Sequence, residues 1–169
     1  LYLLIAGGAL GSAFIPTFHV YLAREQRRTA WRVASAVMNL VFLVGLVAAL
    51  ITAAIAPWLV TRTLAPGYDA PTEALTVTLL RWMLPSIVIF AVSGLLMGIL
   101  NANDHFLLPA LAPSLYNVGI AGGILLLRGR YGVYSAAIGT LAGALMHLVI
   151  QLPALRKFDW DWVPTLGLR

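Results

Sequence analysis

Long windows without Asp, Glu, Lys or Arg alternate with short polar segments along this chain. A hydrocarbon core about 30 Å thick is crossed by roughly 20 apolar residues in a helix that rises about 1.5 Å per residue. The pattern therefore predicts an all-α fold, a polytopic membrane helix bundle with about five transmembrane helices. The predicted spans cover residues 1–23, 33–56, 82–101, 106–127 and 131–155.

The segments between these spans carry residues that end helices. The stretch 57–72, which Pro57 opens, is rich in proline, so we expect it to end the second span and to form a loop or a short interfacial helix. Residues 128–130 are expected to form a tight turn. Residues 1–157 are then the transmembrane bundle, and residues 158–169, where Asp and Trp alternate, are predicted to be an interfacial tail.

The composition agrees with a membrane protein. The chain is 61% hydrophobic and 10% charged, with a mean hydropathy of +0.91, and this is too little charge to cover a soluble domain. The net charge of +5 does not indicate a nucleic-acid partner, because the arginines lie between apolar windows and form no continuous basic face. The chain has no Cys, and we expect neither a metal nor a cofactor. Since it starts at Leu1 within an apolar window, we expect a fragment of a longer membrane protein.

The lysines and arginines predict an orientation in the membrane. Cytoplasmic connections of membrane proteins carry an excess of Lys and Arg. Residues 24–32 and 156–169 fall on the same side and carry seven of them, against four in the connections 57–81 and 128–130. We therefore predict that the 24–32 loop is cytoplasmic, although binding of anionic headgroups is an alternative explanation for its charge. Its basic residues are Arg24, Arg27, Arg28 and Arg32.

Glycine pairs four residues apart recur in several predicted spans. In lipid, small residues let helix backbones approach closely and hold bundles together. We therefore predict helix packing at these positions, and the alternative is that some pairs mark helix surfaces that slide during a transport cycle. The pairs are Gly7/Gly11, Gly94/Gly98, Gly119/Gly123 and Gly139/Gly143.

Ionisable groups deep in the predicted spans are few. No Asp or Glu lies deep in any span, so a proton relay or a cation site has little support. His147 lies well inside the fifth span, where we expect it to hydrogen-bond a neighbouring helix; the alternative is that it faces a cavity. The chain carries no nucleophile, phosphate-loop or zinc-protease motif, so no enzymatic activity is expected.

Five strings carry a resemblance to a known family. Their order and spacing resemble the MurJ (MviN) family of lipid II flippases, within the MOP superfamily of exporters. The strings are AGGALGSAFIPTF (6–18), AWRVASAVMN (30–39), APWLVTRTLAPGY (56–68), GILNANDHFLLPALAPSLYNV (98–118) and LVIQLPALRK (148–157).

The resemblance implies both a fold and an activity. The family has fourteen helices in two lobes and two final helices, and this chain would cover helices two to six of the N-terminal lobe, leading into a second lobe. The family moves an undecaprenyl-pyrophosphate-linked glycopeptide across the bacterial cytoplasmic membrane by alternating access. The implied partners are this lipid, membrane lipids and the remaining helices of the full-length protein. A related exporter of another polyprenyl-linked glycan or of drugs is the alternative.

The chain departs from the family at its charged cavity residues. Members that resemble it carry arginines and a Glu in the second helix, at positions that match Tyr2, Leu3 and Gly7 here. The family's substrate-binding residues therefore do not transfer to this chain. From placement alone, our candidates for the substrate cavity are Gly7, Gly8, Ser12 and Asn39.

Overall fold

The computed structural model describes residues 10–158, 160 and 162–166. These residues form helices joined by short turns, with no strand among them, which confirms the all-α prediction. A π-helical segment, Val60–Leu64, continues α2, and a 3-10 turn, Arg156–Phe158, follows α6. The helices are α1 (Leu10–Ala23), α2 (Arg27–Leu59), α3 (Ala70–Ala102), α4 (Leu107–Tyr131), α5 (Tyr134–Val149) and α6 (Leu152–Leu155).

Four helical segments of the described chain are long and apolar enough to cross a membrane. The first predicted span, residues 1–23, begins outside the described residues, and its described part includes a shorter apolar helix, Phe14–Ala23. The chain is therefore a multi-pass membrane protein. The four long segments are Arg27–Leu64, Ala70–Ala102, Leu107–Tyr131 and Tyr134–Phe158.

An apolar core joins α1, α2, α3 and α6 at the end of the bundle that carries the 24–32 loop. Phe18 of α1 is fully buried and meets the Trp31 ring of α2 edge-on, with the ring centroids 5.5 Å apart. Leu100 of α3 and Leu155 of α6 are fully buried in the same cluster. Burial of these large side chains sets how the first three helices and the end of the chain lie against one another.

Helix α2 continues past Pro57, where the sequence predicted the end of the second span. Proline has no N–H and leaves the carbonyl four residues earlier, that of Ala53, without its helical partner. Arg81 of α3 supplies a donor, because its Nε lies 2.9 Å from the Ala53 oxygen. A side chain from the neighbouring helix thus replaces the lost bond, and the helical chain runs on to Leu64.

Glycines bring α4 and α5 into backbone contact. A Cβ built on Gly119 would clash with the backbone of Gly143, and one built on Gly123 would clash with that of Gly139. These two pairs lie one turn apart, so they align the helices over a continuous stretch. Elsewhere, a Cβ at Gly98 of α3 would lie 2.9 Å from Cδ1 of Ile15.

The last two predicted elements differ from the observed ones. The predicted turn at residues 128–130 is wrong, because α4 continues to Tyr131 and the turn falls on Gly132, whose φ of +53° favours glycine. The predicted fifth span is interrupted after Val149. There the Gln151 N–H bonds the Leu148 oxygen at 3.2 Å in a tighter turn, and the chain re-enters a helix at Leu152.

Candidate functional site

The four candidate cavity positions lie in different parts of the structure. Gly7 and Gly8 lie outside the described residues. Ser12 belongs to α1, and Asn39 belongs to the first half of α2. Of the four candidates, only Asn39 has a side chain whose contacts the structure describes.

Asn39 holds the C-terminal segment against α2. Its Nδ2 donates to the Val163 oxygen at 3.1 Å and to the Thr165 oxygen at 2.9 Å. Its Oδ1 accepts a hydrogen bond of 3.1 Å from Nε1 of Trp162. Both ends of the amide are therefore engaged by one short segment, and Asn39 acts as a polar clamp in this conformation.

Ser35 adds a second attachment one turn earlier on α2. Its Oγ accepts a hydrogen bond of 3.1 Å from the Val163 N–H, and the residue is fully buried. Residues 162–166 thus lie along the start of α2. Beside them is a cavity of about 400 Å³, which includes Thr29, Arg32 and Leu166 in its walls. Residues 162–166, which are part of the tail predicted from the sequence, therefore pack against α2, the helix that carries Arg27, Arg28 and Arg32.

The basic segment 24–32 covers the turn after α1 and the first residues of α2, and its charges are exposed. Its four arginines, predicted to be cytoplasmic, all have exposed side chains. Arg27 and Arg28 stand in the first turn of α2, at the positive end of the helix dipole, where cations are disfavoured. The helix dipole therefore does not explain the charges of Arg27 and Arg28, and the cytoplasmic location of this segment stays a prediction.

A buried polar cluster links α3 to the end of α5. Ser93 Oγ lies 2.6 Å from His147 Nδ1, and Gln151 Nε2 donates to Ser93 Oγ at 2.7 Å. Gln151 Nε2 also donates to the His147 carbonyl at 2.8 Å. The predicted contact of His147 with a neighbouring helix is therefore confirmed.

The cluster compensates for the break in α5. In a regular helix the His147 carbonyl would accept from the Gln151 N–H, which here bonds Leu148 instead. Backbone groups at membrane depth need partners within the protein, and the Gln151 side chain provides one. Oε1 of Gln151 remains buried without a partner among the described residues.

The sequence reasoning missed the contacts made by Ser35 and by Arg81. Nothing in the pattern indicated that Ser35 would receive the Val163 N–H. A signal for Arg81 did exist, because Pro57 frees a carbonyl inside an apolar helix and such a carbonyl needs a donor. The identity of the donor depended on how α3 packs against α2.

Comparisons with known proteins identify one family. The sequence model of the family described as lipid II flippase MurJ matches residues 1–169. A protein of Burkholderia cenocepacia named lipid II flippase MurJ is 30% identical over 169 residues, which cover 98% of this chain and 32% of that protein. One of Thermosipho africanus with the same name is 32% identical over 153 residues, covering 90% of this chain and 31% of that protein.

A probable lipid II flippase MurJ of Thermotoga maritima is similar to a comparable extent. It is 30% identical over 148 residues, which cover 88% of this chain and 30% of that protein. The chain spans about a third of the length of the curated relatives it matches.

Proposed function

Because this chain belongs to the lipid II flippase MurJ family, we propose that it is part of a flippase that moves lipid II across the bacterial cytoplasmic membrane. The observation that carries the proposal is the family match over all 169 residues. The multi-pass helical fold supports it, since several helices long enough to cross a membrane are what a transporter requires. No observation favours an exporter of drugs or of another polyprenyl-linked glycan.

The mechanism that we propose is alternating access. One lobe made of these helices would rock against a second lobe, so that a cavity between them opens to either side of the membrane in turn. The lipid-linked headgroup would enter this cavity while its polyprenyl chain stays in the bilayer. The glycine contacts between α4 and α5 would let the two helices move as one unit, because backbones in direct contact leave no space for side-chain rearrangement.

We retain Gly7, Gly8, Ser12 and Asn39 as proposed cavity positions. Small and uncharged groups there would shape the cavity wall and would leave charge recognition to other parts of the full-length protein. Asn39 would exchange its bonds to the C-terminal segment for bonds to a polar headgroup if that segment moved. The two roles of Asn39 then belong to different conformations.

The proposed orientation makes a prediction about labelling in intact cells. The chain contains no cysteine, so single cysteines can report accessibility to a membrane-impermeant thiol reagent. We expect a cysteine at Glu25 to be protected and one at Gly129 to be labelled, since these positions lie on opposite sides. Replacement of Arg24, Arg27, Arg28 and Arg32 by glutamine is expected to give a mixed population in which both sites are partly labelled. Strong labelling at Glu25 in the unaltered background contradicts the orientation.

The flippase proposal is tested with the full-length protein in bacteria depleted of their own lipid II flippase. We expect restored growth and restored exposure of lipid II at the outer leaflet, measured by an externally added enzyme that cleaves lipid II. Cells that carry an empty vector are the control. Membrane expression without any lipid II exposure would overturn the proposal and favour another cargo.

A further inference from the structure

A groove separates the middle part of α2, residues 42–53, from the middle part of α3, residues 81–89. It encloses a cavity of about 340 Å³. Among the described residues that line it, Arg81 is the one charged residue and the others are apolar, including Leu46 and Ala49 on α2 and Pro85 and Val88 on α3. The groove thus combines a single cation with a hydrocarbon-like surface.

The Arg81 guanidinium is held in place by the backbone of the opposite helix. Its Nε donates to the Ala53 oxygen, the carbonyl that Pro57 leaves without a helical partner. Its terminal nitrogens make no ion pair with any acidic side chain in the described chain. The cation is therefore oriented before a ligand arrives, which reduces the entropy lost on binding.

The depth of Arg81 fits the boundary between headgroups and acyl chains. Its sequence neighbour Trp82 is 45% exposed, and Trp58 on α2 is 60% exposed. Exposed tryptophans favour the membrane–water interface. Ala53 precedes Trp58 by about 7.5 Å of helix at 1.5 Å per residue. With the tryptophans at the interface, this spacing would place the guanidinium just below the level of the headgroups.

We propose that this groove binds an anionic phospholipid, with the phosphate on Arg81 and one acyl chain along the apolar walls of α2 and α3. A guanidinium fork matches the oxygens of a phosphate, and a lowered dielectric strengthens that pair. The α2 wall runs from Phe42 to Ala53, about 16 Å of helix at 1.5 Å per residue. This length matches half of a hydrocarbon core of about 30 Å, which is one acyl chain in one leaflet.

The test uses the full-length protein in detergent and native mass spectrometry, with phosphatidylglycerol and phosphatidylcholine as probes. We expect phosphatidylglycerol to bind more tightly, and Arg81→Gln to weaken its binding about fivefold, as the loss of one basic residue at an anionic lipid does. Arg62→Gln is the matched control, because Arg62 is an exposed arginine of the same region that lies outside the groove.

A second variant keeps the proposal testable if Arg81→Gln does not fold. Ala49→Phe fills the groove and leaves the bond between Arg81 and Ala53 in place. We expect it to weaken phosphatidylglycerol binding by a similar factor. Equal binding by Ala49→Phe and the unaltered protein overturns the proposal, as does an equal loss in Arg62→Gln. Arg81-dependent binding of undecaprenyl phosphate without that of phosphatidylglycerol also overturns it, since the occupant is then a different lipid.

Discussion

Replacement of Gly119 by leucine is expected to destabilise the protein by about 3 kcal/mol or more, the upper range for overpacking of a close interface. The new side chain would meet the backbone of Gly143, and a backbone cannot rotate away as a side chain can. Helices α4 and α5 would have to separate along their shared length. The measurement is the melting temperature of the full-length protein in detergent, followed by circular dichroism and by size-exclusion chromatography after heating.

Gly122→Leu is the matched control for Gly119→Leu. Gly122 belongs to the same helix, and a Cβ built there has no atom within 4 Å. Leucine also has the higher helix propensity, so this variant is expected to melt at the same temperature as the unaltered protein or slightly above it. Equal melting temperatures for Gly119→Leu and Gly122→Leu would show that the glycine contact does not hold α4 against α5.

Replacement of Gln151 by leucine is expected to cost about 2 kcal/mol, within the range for buried polar groups left without partners. The His147 carbonyl loses its 2.8 Å donor, and the Ser93 hydroxyl loses its 2.7 Å donor. The cost is limited because the substitution also removes Oε1 of Gln151, which is buried without a partner in the described chain. The readout is again the melting temperature of the full-length protein.

A double-mutant cycle with Ser93→Ala tests whether the cluster acts as a unit. We expect the two substitutions together to cost less than the sum of the single ones, because they share one hydrogen bond. Thr78→Val is the control, since the Thr78 hydroxyl bonds the Ala74 carbonyl of its own helix and no other group in the described part of the chain. Full additivity of Gln151→Leu and Ser93→Ala would count against a coupled cluster.

The polar cluster illustrates what a single sequence can reveal. His147 stood in an apolar window, and a polar group in lipid needs a partner, so a contact with another helix followed from physics alone. That the partner would be Ser93 did not follow, because several polar residues were available in other spans. Glycine spacing likewise indicated close packing, but the structure was needed to pair Gly119 with Gly143 and Gly123 with Gly139.

Prolines and short turns show where sequence reasoning fails. A proline such as Pro57 removes one backbone hydrogen bond from any helix, so the sequence predicted that the second span ends there. Instead, α2 continues past Pro57, because α3 lies beside it and the Arg81 side chain donates to the freed Ala53 carbonyl. The position of the turn at Gly132 depended in the same way on where α4 and α5 remain in contact.

The sequence by itself determined that this chain lies in a membrane as a bundle of helices, and it pointed to the family to which the chain belongs. Windows without charged residues indicate membrane spans because each charge placed in hydrocarbon is costly. The positions of the charged residues can be read from the sequence alone. Only the tertiary structure decided which groups satisfy the freed carbonyls of Ala53 and His147, and that Asn39 clamps the C-terminal segment. These contacts join residues far apart in the chain, so they depend on how the helices pack rather than on any local pattern.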